Sequence, residues 1–144
     1  MIESVLYRLL PAFVLATLVA ACGGSGDGAT GFSQVYSTII SSRFLPCHSV
    51  GPGATEGMLN MASEQAAYSN LVGVKAKGVG GCSASGLTRV IPGSAQTSLL
   101  YEKVQSKLTQ ANPPCGDSMP DDATTLSQAQ VDLIQTWINE GAQM

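Results

Sequence analysis

The apolar residues of this chain recur with helical spacing in three separate segments, and this pattern restricts the fold class most strongly. Residues 32–43 and 98–108 each place apolar side chains three or four positions apart, which predicts amphipathic helices. Residues 126–142 predict a third helix, because Ser127 and Gln130 form a capping-box pattern at its start. No stretch of any length alternates polar and apolar residues as a strand does. The sequence therefore predicts a mainly α fold of about three to five helices.

Long loops rich in glycine and proline separate the predicted helices. Residues 73–86 contain five glycines, and residues 111–123 contain three prolines. Between the first two helices, Ser63 is a candidate N-cap for a short helix that ends at Leu71. Long loops in a small domain usually serve a function, and we expect these to wrap a ligand or to be held by cross-links.

The first 31 residues predict an exported lipoprotein. An apolar run that ends at Ala21 is too short to span a bilayer and has the length of a signal-peptide core. The following cysteine completes a sequence, VAAC, that resembles a bacterial lipobox, so that cleavage would leave Cys22 as a lipidated first residue. We expect a signal peptide over residues 1–21, a flexible glycine-rich tether over residues 22–31, and one domain over residues 32–144.

Export has consequences for location and partners. The lipid at Cys22 would anchor the chain to a membrane of the cell envelope, in the periplasm or at the outer membrane, where disulfides persist. The formal net charge is −3, and no basic patch indicates a nucleic-acid partner.

The chain has four cysteines, and their positions predict different uses. If Cys22 carries lipid, three cysteines remain. In an exported protein, an odd number means that at least one cysteine has a role other than a disulfide bond within the chain. Cys82 and Cys115 lie in the two loops that flank the second predicted helix, so we expect a disulfide between them. Pairing of Cys47 with either of these two cysteines is the alternative.

Residues 44–48, FLPCH, place the single histidine of the chain directly after Cys47. Covalent haem sites have the pattern C-x-x-C-H, and here Phe44 stands where the first cysteine would be. One thioether bond, from Cys47, would remain. Other interpretations are a chance pair in a loop, a Cys–His nucleophile without a third residue to orient the base, and a zinc site. The zinc ligands would be Cys47, His48, Cys82 and Cys115.

Four segments, taken in chain order, resemble a class I c-type cytochrome domain of the small bacterial exported variety. They are the first helix leading into PCHS at residues 46–49, RVIPGSAQTSLLYEKV at 89–104, CGDSMP at 115–120, and LSQAQVDLIQTWINEGA at 126–142. The resemblance covers essentially the whole predicted domain. It implies a cytochrome c-like fold whose helices and long loops wrap around a haem c.

The same resemblance implies roles for individual residues. Cys47 would form the thioether bond to the haem, and His48 and Met119 would be the axial ligands of the haem iron. Phe44 would pack at the haem edge. The backbone carbonyl of Pro92 would orient the imidazole of His48.

From this resemblance we expect a mono-haem c-type cytochrome lipoprotein that carries electrons between redox proteins and catalyses no reaction of its own. Met58 and Met61 lie at apolar positions and are expected in the core, and Met144 is the last residue, so Met119 is the candidate ligand. The alternative is a haemless cytochrome-fold lipoprotein with a structural or interaction role, which the absence of a cysteine at Phe44 favours.

Overall fold

Helices provide the regular secondary structure of residues 30–144, the part of the chain that the computed structural model describes. These residues contain no strand, and two isolated bridges join Val72 to Val90 and Lys75 to Thr88. The prediction of a mainly α fold is confirmed. The elements in chain order are α1 (Phe32–Val35), a π-helical segment (Tyr36–Phe44), α2 (Leu45–His48), α3 (Pro52–Thr55), α4 (Glu64–Leu71), a 3₁₀ turn (Ala95–Thr97), α5 (Leu99–Thr109) and α6 (Gln128–Asn139).

One continuous helical segment leads from Phe32 to His48. Its central nine residues are π-helical, where the sequence predicts an α-helix. The hydroxyls of Ser37, Ser41 and Ser42 donate hydrogen bonds to backbone carbonyls one turn earlier. Such bonds compete with the backbone N–H groups for these carbonyls and favour a departure from regular α geometry. The segment nevertheless buries one apolar stripe and carries His48 into the interior. The buried apolar residues of the stripe are Phe32, Val35, Ile39, Ile40 and Phe44.

Local capping defines the starts of α4 and α6 as predicted. The Ser63 hydroxyl accepts a backbone N–H of the first turn of α4, and Ser127 and Gln130 form both bonds of the capping box of α6. At α5 the N-cap residue is Ser98, but its hydroxyl does not cap the helix. It accepts the Ile91 N–H at 2.8 Å instead and so ties the preceding turn to the start of α5.

The core joins the first helical segment to the last helix around Trp137. This indole is fully buried, and its ring centroid lies 4.9 Å from that of Phe32. The Phe32 ring also meets Tyr68 of α4 edge-on, with centroids 5.4 Å apart. The indole N–H of Trp137 donates to the carbonyl of Gln143 at 2.7 Å, so the only polar atom of the side chain is satisfied. The two ends of the described chain are thereby held together.

The predicted signal peptide and the predicted lipidation site Cys22 lie outside the described residues, as does the tether up to residue 29. The first helix begins at Phe32. Among residues 30–144, no helix combines the length and the apolar character needed to cross a membrane.

Candidate functional site

A cleft with about 160 Å³ of free space, partly open to solvent, lies between the end of the first helical segment and α5. Two loops, residues 76–82 and residues 116–121, complete its walls. Most of the lining consists of apolar side chains and glycine backbone, and the polar groups include His48, Arg89 and Lys103. Largely apolar clefts with a few convergent polar groups are typical of ligand and cofactor sites.

His48 is the buried histidine of this cleft, and its side chain is 5% exposed. Its Nδ1 lies 3.0 Å from the carbonyl oxygen of Leu59. A carbonyl can only accept, so Nδ1 carries the proton and Nε2 carries the free lone pair. Burial lowers the pKa of His48 below its usual value, while the backbone hydrogen bonds oppose this effect. The ring is therefore neutral near pH 7, the form in which imidazole binds metals.

The chain after His48 folds back tightly over its ring. A Cβ atom at Gly53, in α3, would lie 2.6 Å from both Cε1 and Nδ1 of His48, so this position tolerates no side chain without displacement. The carbonyl of His48 accepts the N–H of Met61 at 2.7 Å. Loop 56–61 thus fixes the imidazole from one side and leaves Nε2 without a hydrogen-bond partner among the described residues.

Phe44 and Met119 line the same cleft as His48. Phe44 lies one turn before His48 and is buried, with its ring centroid 6.3 Å from that of the imidazole. Met119 lies in the loop before α6 and is partly buried against the main core. Three residues that the sequence assigns to one site, separated by up to 75 positions, therefore meet at one cleft.

Two sequence-predicted site residues lie elsewhere. Cys47 has a free, partly exposed thiol and is not among the residues that line the cleft. Pro92 is exposed and also lies outside the cleft lining. The prediction that the carbonyl of Pro92 orients His48 is wrong, because the carbonyl of Leu59 occupies the Nδ1 proton. Leu59 reaches this position because loop 56–61 folds over the ring.

The structure contains a disulfide between Cys82 and Cys115, the pair expected from the sequence. It joins the two loops that form the walls of the cleft, and both cysteines are buried. These sulfurs are therefore not free to bind zinc, and residues 30–144 contain no group of three or more His, Cys, Asp or Glu side chains suited to a metal ion. The zinc interpretation is wrong.

Sequence reasoning missed three cations that line the cleft: the buried Arg89, the half-buried Lys103 and the exposed Lys77. Arg89 is 5% exposed and donates to the carbonyls of Asn70, Gly57 and Met58 at 2.9, 3.2 and 2.8 Å. No carboxylate pairs with it among the described residues. The signal for Lys103 was available, because this lysine lies on the apolar side of α5.

Comparisons of the chain with protein-family models, with curated proteins and with solved structures give no match. The functional interpretation therefore depends on the chemistry of the cleft and on the sequence segments that lead to it.

Proposed function

We propose that this protein is a single-haem electron carrier of the c-type cytochrome kind, with its haem in the cleft described above. One observation carries the proposal: a neutral buried imidazole with a free Nε2 and the thioether-bearing residue Met119 both line one largely apolar cleft. Imidazole nitrogen and methionine sulfur are the axial pair of electron-carrying c-type cytochromes.

The types of side chain that line the cleft support this proposal. His48 and Met119 would hold the iron, and Phe44 would supply an apolar contact to the ring. Arg89 is a buried cation without a carboxylate partner among the described residues, which suits a ligand that carries carboxylates. When bound, the haem would supply one-electron transfer between two iron oxidation states, and the thioether ligand would favour a high reduction potential.

Several residues around the cleft would orient the ligand His48 and shape the haem site. The carbonyl of Leu59 holds the tautomer of His48 in which Nε2 is the metal-binding nitrogen. Gly53 allows the backbone to approach the imidazole and so restricts the ring's orientation. Phe44 and Met61 belong to the apolar lining and would contact the haem ring. Such a site binds and orients a cofactor, and an electron carrier needs no further catalytic group.

The attachment and location of the protein are part of the same proposal. Cys47, one residue before His48, would provide the single thioether bond, with Phe44 in place of the second anchor. The lipid at Cys22 would hold the domain in the cell envelope through the glycine-rich tether. The partners would be redox proteins of that compartment rather than small-molecule substrates.

The proposal is tested by producing the full chain together with a haem-maturation system and recording reduced and oxidised spectra. We expect the α-band of a low-spin haem and the weak sulfur-to-iron charge-transfer band. Met119→Ala should lose the charge-transfer band, while the control Met61→Leu, whose residue is buried beside His48, should keep it. Haem that remains with the denatured chain, and is lost in Cys47→Ala, would identify the thioether. A chain that takes up no haem refutes the proposal.

A second candidate function is a haemless scaffold with an interaction role. The observations that favour it are Phe44, which lines the cleft at the position of the first attachment cysteine, and Cys47, which does not line the cleft. If the chain folds, takes up no haem under maturation conditions and shows no haem titration in solution, this second function is the one to pursue.

A further inference from the structure

The loop that carries Met119, residues 115–121, is attached to α5 through one residue, Lys103. We call this segment the methionine loop. The ammonium of Lys103 donates to the carbonyls of Cys115 at 2.7 Å and Asp117 at 2.6 Å. The backbone carbonyl of the same lysine accepts the N–H of Met119 at 3.1 Å. Side chain and main chain of Lys103 therefore hold the loop at three points.

The disulfide and the other hydrogen bonds near the methionine loop lie at its two ends. The disulfide of Cys115 and the bond from the Gly116 N–H to the Gly80 carbonyl, at 2.9 Å, fix the start of the loop. Lys107 donates to the carbonyl of Asp122 just beyond its end. For residues 117–121, every hydrogen bond that the described chain provides has Lys103 as its partner, as donor to Asp117 and as acceptor from Met119.

The geometry around the ammonium is that of a cation enclosed by its loop. Its two acceptor carbonyls lie on either side of Gly116, which has a φ of +57°. A Cβ atom at Gly116 would lie 3.2 Å from the Lys103 ammonium and 3.3 Å from the Cys82 sulfur. Lys103 forms no ion pair among the described residues, so the loop carbonyls are its direct partners. Hydrogen bonds from a charged donor are stronger than neutral ones.

We propose that Lys103 is the positioning residue for Met119: it sets the conformation of the methionine loop and thereby brings the thioether to the cleft. This inference rests on the proposed function for its consequence at the iron, but the loop contacts exist without any cofactor. Lys103 acts through Met119 and needs no contact with the haem itself. Loss of its ammonium should free the centre of the loop, while the disulfide keeps the start in place.

The first measurement needs no haem. Amide hydrogen exchange is measured on the full chain without cofactor, comparing the parent with Lys103→Met, which keeps side-chain length but removes the donor. We expect the Met119 amide to exchange roughly tenfold faster or more, the change expected from losing a charge-assisted hydrogen bond. The matched control is Lys75→Met, since Lys75 also donates to a loop carbonyl, that of Gly86 at 2.7 Å, and neither residue lines the cleft. It should leave the exchange of Met119 unchanged.

The second measurement uses the haem-loaded chain and reads the sulfur-to-iron charge-transfer band and the reduction potential. Lys103→Met should keep its haem and its His48 ligation but lose most of the band, and its potential should fall. Lys75→Met should retain both properties. If Lys103 merely stabilised the fold, Lys103→Met would lower the unfolding midpoint without removing the band.

The outcomes separate this inference from the proposed function. Unchanged exchange at Met119 in Lys103→Met overturns the inference, and so does faster exchange with a fully retained band. If the parent takes up no haem, the proposed function fails, and the exchange data alone decide whether Lys103 holds the loop. Should Lys103→Met not fold, Lys103→Gln keeps an uncharged donor and should give the same changes at smaller amplitude. A Lys103→Gln chain with parental exchange would likewise refute the role.

Discussion

Removal of the Cys82–Cys115 disulfide tests how the two walls of the cleft are held together. The cysteines are 33 positions apart, and both are buried in a small apolar cluster with Ala76 and Leu99. Under the chain-entropy relation, cross-linking a loop of this length lowers the free energy of the folded state relative to the unfolded state by about 3.7 kcal/mol. We therefore expect Cys82→Ala/Cys115→Ala to lose about that much unfolding free energy.

Urea unfolding followed by tryptophan fluorescence measures this loss directly. Trp137 is the single tryptophan of the chain and is fully buried, so its emission reports the global transition. The control is Cys47→Ala, which removes the free thiol and should change the unfolding free energy by less than about 0.5 kcal/mol. Treating the parent with a reductant should reproduce the loss seen in the double variant.

A loss below about 1 kcal/mol in the double variant would contradict this reasoning. It would mean that the unfolded chain is already restricted, or that the loops are held by their hydrogen bonds alone. Peptide mapping without reductant provides an independent check, because a peptide linking Cys47 to Cys82 or to Cys115 would contradict the observed pairing.

Three further substitutions test the surroundings of His48 and the last helix. Gly53→Ala should displace the His48 ring, because the new Cβ would lie 2.6 Å from it. The free energy of unfolding, measured by thermal denaturation, should fall by about 1–3 kcal/mol. The NMR signals of the imidazole should shift. Burial lowers the pKa of His48 below 6.5, so the unfolded chain binds this proton more readily and the parent should lose stability as the pH falls below that value. The variant His48→Gln should show a flatter profile of unfolding free energy between pH 7 and pH 5, and an identical slope would refute the assignment. Ser127→Ala should lower the unfolding free energy by about 1 kcal/mol through loss of the cap, whereas Ser83→Ala, at an exposed serine in the loop after Cys82, provides the comparison.

Much of the fold follows from short-range patterns in the chain. Helical spacing predicts α5 and α6 because each buries one stripe of apolar side chains. The caps at Ser63 and Ser127 follow from residue type, since their hydroxyls bond to N–H groups three residues later. The start of the first helix was predicted, but its end and its geometry were not: the helical segment continues to His48, and the π-helical turns accompany serine hydroxyl bonds within the segment.

The candidate site was predictable in its residue types and less so in its contacts. His48 and Met119 were identified as a possible pair, and the structure places both at the cleft. The carbonyl partner of His48 was assigned to Pro92, whereas Leu59 provides it, because backbone acceptors carry no signature in their side chains. Lys103 carried a signal as a lysine on an apolar helix face, but its acceptors in the methionine loop could not be read from spacing.

The sequence by itself determined the helical class, the helix caps and the chemistry available to the chain: one imidazole, a set of thioethers and a small number of thiols. These properties depend on residue type and on neighbours within about one helical turn. The tertiary structure decided which of these groups meet. It brought Phe44, His48 and Met119 to one cleft, joined its walls through a disulfide and enclosed Lys103 in the methionine loop. Such contacts depend on how distant segments pack together, and packing is a property of the whole core rather than of any local pattern.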